Sequence, residues 1–235
     1  MASGKFALLN AFRLTFAGTP YKHRDSTLGN KIGRQLFEDL LHHSVSFLYN
    51  DHVQNGFGVV NRGGQVRGKI LRRNDSVFGR PPAGVETLPP LPPNLVREGH
   101  VAEPRIGCEV KIIAKAQLKQ IDRVINDLSG FALRMKALNA KCINLGLIGV
   151  NHEPNYVGFE GERQFKGRLG SREPTVVSAR LREHLVGRYD ELLVVGFRAT
   201  NQPPYPFLWL NQKGVELDYG AVLTRVGELY QDRFK

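Results

Sequence analysis

The most informative short segment of this chain holds an acid and an amine two positions apart. Glu109 and Lys111 occur in the run Gly107-Cys108-Glu109-Val110-Lys111. The surrounding apolar residues predict a β-strand from about residue 106, and side chains alternate between the two faces of a strand. Glu109 and Lys111 therefore share one face, while the other face is apolar and is expected to pack.

This pairing suits the cleavage of a phosphodiester bond. A carboxylate binds a hard cation such as Mg²⁺ through oxygen. The cation neutralises charge on the phosphate and lowers the pKa of a bound water, and an ammonium group orients that water or stabilises the developing charge. The chain contains one Glu-x-Lys and no Asp-x-Lys. The alternative interpretation is a solvated ion pair at a strand edge.

The elements around this pair predict an α/β fold. Apolar residues recur at helical spacing over 27–50, and 66–78 resembles a strand or a strand pair. Residues 114–140 predict a long helix, and the apolar run 142–150 predicts a strand buried on both faces. A strand from about residue 106, this helix and that strand form a βαβ unit, for which a right-handed parallel crossover is expected.

The remaining segments predict loops and a few further elements. Residues 51–64 are rich in Gly and Asn and are predicted as loop, and the prolines within 79–95 exclude a regular element there. Residues 151–174 are predicted as a long basic loop. We expect a helix over 175–189, strands over 191–198 and 205–211, and a short helix from Tyr219. The chain is expected to form one domain over 1–235, with a mixed central β-sheet flanked by helices.

The order of these elements around Glu109 and Lys111 resembles the PD-(D/E)xK nuclease superfamily and its restriction-endonuclease-like core. The resemblance covers roughly residues 27–150. It implies a third catalytic residue, an acid upstream of Glu109. Asp75 fits best because it ends a strand-like run at a turn, although the Pro-Asp of the family pattern is absent. Glu98 and Glu103 are rivals that lie closer in sequence.

The same resemblance implies a set of roles. Catalysis is assigned to Asp75, Glu109 and Lys111. Metal binding is assigned to Asp75, Glu109 and Val110, with Mg²⁺ as the cofactor and Mn²⁺ as a substitute. The expected chemistry is in-line attack of a water activated by Lys111, which leaves 5′-phosphate and 3′-hydroxyl ends.

Four further residues are candidates for supporting roles in such a site. Glu38, on the first long helix, and Glu103 are candidates for an additional acid. Lys119 and Gln120, near the start of the helix after the motif, are candidates for orienting the water. For each helix residue an ordinary solvated position is the alternative interpretation.

The charge of the chain indicates a polyanionic partner. It has 33 Lys and Arg against 22 Asp and Glu, a formal net charge of +11, and neutralising phosphates releases counterions and drives binding. A merely basic protein, or one that docks on anionic lipid, is the alternative. We assign DNA binding to basic residues near the motif and in the predicted basic loop: Arg72, Arg73, Arg80, Lys115, Arg123, Lys166, Arg168 and Arg172.

The cysteines and the first residues bear on location. Cys108 and Cys142 are the only cysteines and lie in apolar runs, which predicts buried thiols and excludes a disulfide framework or a four-Cys zinc site. The apolar stretch over 5–18 is interrupted by Asn10 and Arg13, so neither a signal peptide nor a membrane span is predicted. We expect a cytoplasmic, intracellular and nucleoid-associated protein without a membrane partner.

These observations favour a Mg²⁺-dependent DNA endonuclease of a type II-like restriction or other DNA-defence kind. A homodimer is expected if both strands are cut. Two other hypotheses stay open: a non-catalytic nucleic-acid-binding protein on the same fold, and a structural or assembly subunit whose basic face meets RNA or a protein. Motifs of the phospholipase D, Walker A and Gly-x-Ser-x-Gly types are absent.

Overall fold

Helices and strands follow one another along the whole described chain. The computed structural model describes residues 5–22, 28–43, 45–66, 69–70, 75–85, 89, 95–115, 117–160 and 163–235. The described helices are α1 (Ala7–Leu14), α2 (Leu28–His43), α3 (Phe47–Gln54), α4 (Gln117–Leu138), α5 (Glu173–Leu185) and α6 (Gln212–Arg233). The described strands are β1 (Val59–Val66), β2 (Lys69–Ile70), β3 (Asp75–Arg80), β4 (Glu98–Val101), β5 (Glu103–Ile113), β6 (Ile143–Asn151), β7 (Asn155–Glu160), β8 (Arg163–Arg168), β9 (Glu191–Ala199) and β10 (Phe207–Trp209).

A mixed β-sheet forms the centre of the molecule. Its strand order is β10-β9-β6-β5-β3-β1-β2, and β4 pairs with β1 in parallel. Strands β5, β6 and β9 are parallel, whereas β3 runs antiparallel to β5. The predicted α/β class with a mixed central sheet flanked by helices is confirmed, and β5, α4 and β6 form the predicted parallel βαβ unit. Strand β5 therefore has a parallel neighbour on one side and an antiparallel neighbour on the other.

Helices cover both faces of this sheet because its central strands are apolar on both faces. One hydrophobic cluster, which we call the first core, joins α1, α2, α3 and α6 to alternate β5 residues Ile106, Cys108 and Val110. The second core joins α4 and α5 to Ile113 of β5 and to Ile148 of β6. The odd-numbered positions of β5 from Gly107 onwards thus face α4.

The predicted helix over 27–50 consists of two helices. Helix α2 ends at His43 and α3 begins at Phe47. Ser46 makes the new start possible, because its Oγ accepts a hydrogen bond from Tyr49 N at 3.1 Å and so caps α3. The cap depends only on neighbouring residues, but the helical spacing of apolar residues continues across it. The sequence pattern therefore predicted one helix where there are two.

The predictions of loops over 51–64 and 151–174 are also wrong, because both segments contain strands. Residues 51–64 hold the end of α3 and most of β1, whose Val60 pairs with Phe78 of β3. Residues 151–174 hold the β7–β8 hairpin. Cross-strand pairing and packing outweigh the Gly-rich composition of both segments.

The C-terminal helix starts earlier than the predicted start at Tyr219. Helix α6 begins at Gln212, where the Asn211 side chain accepts a hydrogen bond from Gly214 N at 3.0 Å. The prediction of buried thiols is confirmed, since Cys108 and Cys142 are both free and buried. None of the described helices has the length and apolar character needed to cross a bilayer.

Candidate active site

The central strand β5 positions the acid and the amine of the Glu-x-Lys motif. Glu109 is 2% exposed although it is charged. The Nζ atom of Lys111 lies 2.6 Å from Glu109 Oε1, and the lysine side chain is 22% exposed against 3% for the glutamate side chain. The two residues therefore form a contact ion pair on the α4 face, with the acid inside and the amine towards solvent.

Two glycines create the space around this pair. Gly107 precedes Glu109 on the same face, and a Cβ there would lie 2.9 Å from Met135 Cγ and 2.9 Å from Phe131 Cζ of α4. Gly146 of β6 is the register partner of Glu109. Helix α4 thus approaches β5 closely beside the acid, and no side chain projects from the neighbouring β6 position.

The opposite neighbour of Glu109 is Asp75. Strand β3 begins at Asp75, and the Cα register of the antiparallel β3–β5 pair aligns Asp75 with Glu109 and Ser76 with Cys108. Residues directly opposite one another in such a pair lie on the same face of the sheet. The backbone of Asp75 is described, whereas its side chain lies outside the described residues.

Glu103 lies at the other end of β5. Its register partner is Arg80, and its Oε1 accepts a hydrogen bond from Asn139 Nδ2 at 3.4 Å. Six positions of extended strand separate it from Glu109, about 20 Å at 3.3 Å per residue. The candidacy of Glu103 for the same site is therefore wrong. The other rival, Glu98, forms an ion pair with Arg34 of α2.

Glu38 also lies away from the motif. It is 6% exposed, and its carboxylate accepts hydrogen bonds from Leu95 N at 3.0 Å and Val96 N at 3.1 Å. Its helix, α2, packs on the first core, on the sheet face opposite Glu109. The candidacy of Glu38 as an additional acid is wrong for that reason, and its carboxylate instead holds the chain segment before β4.

Lys119 and Gln120, the candidate water-orienting residues, lie near the start of α4 in different settings. Lys119 is exposed. The side chain of Gln120 turns back, because its Nε2 donates to the Lys115 carbonyl and its Oε1 accepts from Arg123 Nη2 at 3.4 Å. Gln120 thus closes the turn between β5 and α4, and neither residue has a described contact with Glu109.

A residue that sequence reasoning did not single out for a role joins the ends of the two central strands. Gln117 is completely buried, and its Nε2 donates to the Asn151 carbonyl at 2.6 Å and to the Ile113 carbonyl at 3.3 Å. Asn151 in turn donates through Nδ2 to the Ala199 carbonyl at 2.9 Å. These amides tie the carboxyl ends of β5, β6 and β9 together. No spacing signal marks them, because the shorter bond of Gln117, to Asn151, and the bond of Asn151 to Ala199 each join residues that are distant in sequence.

Four of the predicted DNA-binding residues lie at the same end of the sheet. Lys115 follows β5, and its Nζ lies 4.1 Å from the centroid of the Phe165 ring of β8. Lys166 and Arg168 are exposed on β8, and Arg172 is exposed just before α5. These four lie near the carboxyl ends of the parallel strands, because β7–β8 follows β6 directly.

The other predicted DNA-binding residues are placed elsewhere or not described. Arg80 is exposed at the Glu103 end of β5, and Arg123 is exposed on α4. Arg72 and Arg73 lie outside the described residues. Arg80 lies at the opposite end of β3 from Asp75, where it is aligned with Glu103.

A metal site here would rest on oxygen ligands. Among the described side chains no group of three or more His, Cys, Asp or Glu residues is arranged to hold a metal ion, and the Asp75 side chain is not among them. The Val110 side chain is 4% exposed in the first core. Only its backbone carbonyl is therefore available as a ligand.

The neighbouring thiol does not offer an alternative nucleophile. Burial, and to a lesser degree the charge of Glu109, raises the pKa of the Cys108 thiol far above its usual value. Thiolate is the reactive form of cysteine. Cys108 thus stays protonated, and it faces the first core rather than the Glu109 side.

No family model, curated protein or solved structure matches this chain. The assignment of a function therefore depends on the chemistry of the site. That chemistry combines a buried acid in contact with a lysine, a second acidic position across the strand pair, and basic residues beyond the ends of the parallel strands.

Proposed function

We propose that this chain is a metal-dependent endonuclease that hydrolyses phosphodiester bonds in DNA, with Asp75, Glu109 and Lys111 as its catalytic residues. The observation that carries the proposal is the β3–β5 register, which aligns Asp75 with Glu109, beside the 2.6 Å contact between Lys111 Nζ and Glu109 Oε1. Two acidic positions and a lysine thus occupy neighbouring positions of paired strands. The arrangement supports membership of the PD-(D/E)xK superfamily and a restriction-endonuclease-like core.

The donors at these positions suit Mg²⁺, with Mn²⁺ as a substitute. Hard cations prefer carboxylate and carbonyl oxygens, and we propose the carboxylates of Asp75 and Glu109 and the Val110 carbonyl as ligands. The only thiol nearby, Cys108, faces the first core. When bound, the ion supplies Lewis-acid stabilisation of phosphate charge and a more acidic water.

The role proposed for Lys111 follows from its position between a buried acid and solvent. The Glu109 carboxylate restrains the ammonium group, which has two further N–H donors available. Lys111 uses them to orient the attacking water and to stabilise negative charge on the phosphate as the leaving oxygen departs. Fixing the amine before the substrate arrives lowers the reorganisation that the reaction requires.

The proposed substrate is DNA, because the net charge is +11 and exposed basic side chains lie beyond the carboxyl ends of the strands that hold the site. We further infer a type II-like restriction or other DNA-defence role, with a homodimer cutting the two strands. Each subunit would supply one site for one strand.

Cleavage of mixed plasmid and phage DNA with Mg²⁺ tests the proposal. The proteins compared are wild type, Glu109→Gln, Lys111→Ala and the matched control Glu103→Gln, an acid on the same strand at its far end. We expect fragments from wild type and from Glu103→Gln, and none from the two motif variants. Salt-sensitive DNA binding by all four proteins without any cleavage would replace the proposal with the non-catalytic binding protein.

A further inference from the structure

The β7–β8 hairpin is a separate two-stranded ribbon attached to one end of the sheet. Its strands pair from Asn155 with Arg168 to Glu160 with Arg163. Val157 N donates to the Thr200 carbonyl at 2.8 Å, and Asn201 Nδ2 donates to the Val157 carbonyl at 2.8 Å. Strand β7 is therefore the anchored strand.

The outer strand carries the exposed polar side chains. Tyr156, Val157 and Phe159 of β7 are buried, whereas β8 has the sequence RQFKGR, with three basic residues and no acidic one. Its exposed residues are Arg163, Gln164, Lys166 and Arg168. Because side chains alternate along a strand, Gln164, Lys166 and Arg168 share one face of the ribbon.

Aromatic rings packed over glycines make the ribbon compact. Gly158 is paired with Phe165 and Gly167 with Tyr156. A Cβ at Gly158 would lie 2.2 Å from the Phe165 ring, and one at Gly167 would lie 2.3 Å from the Tyr156 ring. Such aromatic cover of glycine fixes register, and an isolated hairpin without such support is only marginally stable.

The ribbon also contacts the segment that leaves the candidate active site. Lys115, whose Nζ lies 4.1 Å from the Phe165 ring centroid, follows Lys111 by four residues. An extended chain of that length spans at most about 14 Å. A duplex with one phosphate at Lys111 would therefore bring an adjacent groove to the ribbon.

We propose that the β7–β8 hairpin enters the major groove of B-form duplex DNA, with Gln164, Lys166 and Arg168 facing the bases and the flanking phosphates. This inference rests on the proposed nuclease function and names its substrate as duplex DNA. The major groove of B-DNA admits a two-stranded β-ribbon, in which Gln pairs with adenine edges and Arg or Lys with guanine edges. The major groove of A-form RNA is too deep and narrow for such a reader.

The first test measures equilibrium binding to a short DNA duplex and to double-stranded RNA of the same sequence, by fluorescence anisotropy with Mg²⁺. The non-cleaving Glu109→Gln protein is compared with the same protein carrying Lys166→Gln and Arg168→Gln. The matched control carries Lys141→Gln and Arg188→Gln, which remove the same charge from exposed positions just before β6 and β9. These positions lie at the amino ends of the two strands, whereas the hairpin lies at the carboxyl ends.

The hairpin variant is expected to bind the DNA duplex at least about tenfold more weakly, because two charged side chains that contact base edges and phosphates are lost. The control should change affinity far less, and RNA should bind weakly to every protein. Equal weakening in the hairpin variant and the control would overturn the proposal, as would RNA binding as tight as DNA binding.

A second test reports on the groove itself. The DNA duplex is methylated sparsely at guanine N7, in the major groove, and at adenine N3, in the minor groove, and bound molecules are separated from free ones. We expect the bound fraction to be depleted of N7 methylation, and this depletion to vanish in the hairpin variant. Depletion of N3 methylation alone would contradict the proposal.

Failure of the hairpin proposal and failure of the nuclease proposal give different results. If Glu109→Gln abolishes cleavage, while the Lys166→Gln and Arg168→Gln changes made in the wild-type protein leave both duplex binding and cleavage equal to those of the Lys141→Gln and Arg188→Gln control made in the wild-type protein, the nuclease stands and the hairpin role falls. If no protein cleaves but duplex binding depends on the hairpin, the hairpin role stands and the nuclease falls.

Discussion

Asp75 and Glu109 are direct Cα partners in the antiparallel pair of β3 and β5. Among the upstream acids that the motif leaves open, this relationship distinguishes Asp75 from Glu103, since Glu103 is aligned with Arg80 at the other end of the same pair. An acid about 20 Å along the strand cannot share a metal ion with Glu109, because oxygen ligands to Mg²⁺ lie near 2 Å from the ion.

The register predicts different effects for the two acids. Asp75→Asn should lower the rate of DNA cleavage by at least about a hundredfold, the scale on which charge-stabilising groups act, while DNA binding persists. Glu103→Gln should cleave at a rate close to wild type. Initial rates on a cleaved plasmid, measured at saturating DNA, check both variants, and the reverse ranking would exclude Asp75 from the site.

Mg²⁺ should stabilise the folded protein through Glu109. At a concentration about ten times its Kd, a ligand that binds only the folded state adds about 1.4 kcal/mol, which raises Tm by about 3–6 °C for a chain of this size. Thermal unfolding with Mg²⁺ and with EDTA should show this rise in wild type and in Glu103→Gln. An equal rise in Glu109→Gln would place the bound ion elsewhere.

The ion pair between Lys111 and Glu109 should couple their effects on stability. Removing the amine alone leaves a buried carboxylate without its cation, so Lys111→Met should lower the free energy of unfolding by about 1–3 kcal/mol. The double variant Glu109→Gln with Lys111→Met should lose less than the two single variants together. Urea unfolding in EDTA measures all four proteins. Simple additivity would mean that the 2.6 Å contact contributes nothing to folding.

Acid should weaken the attachment of α6 through Asp190. Its carboxylate accepts from Arg233 Nη2 at 2.5 Å and from Asn144 N at 2.8 Å, and it lies 3.3 Å from Lys136 Nζ. Burial alone would raise the pKa of Asp190, but the hydrogen bond from Arg233, the one from Asn144 N and the charge of Lys136 outweigh it and lower the pKa below 3.8.

The lowered pKa gives the sign of the pH effect. Stability from Asp190 is present above pH 3.8 and is lost as the pH falls through the lower folded value. Asp190→Asn should therefore cost about 2 kcal/mol at pH 7, the scale of lost charged hydrogen bonds. Urea unfolding of wild type and variant at neutral pH and near pH 3 should show this difference shrinking, and a difference independent of pH would contradict the assignment.

The sequence by itself determined the features that depend on short-range periodicity. Alternation along β5 places Glu109 and Lys111 on one face and Cys108 on the other, and the structure agrees. The run of strand, helix and apolar strand likewise determined the β5–α4–β6 unit. These patterns are local, because the side-chain period of a strand or helix is set by neighbouring backbone geometry.

Only the tertiary structure decided which distant residues meet. The partner of Glu109 depends on the register of β3, which lies far upstream and is set by packing on both faces of the sheet. Helix α2 packs on the opposite face of the sheet, so Glu38 lies away from the site. Its carboxylate instead accepts hydrogen bonds from the backbone amides of Leu95 and Val96. The strands of the hairpin at 155–168 could not be predicted from the sequence either, because they also depend on contacts between separate segments. Its glycines favour strand pairing only when aromatic rings from the partner strand cover them.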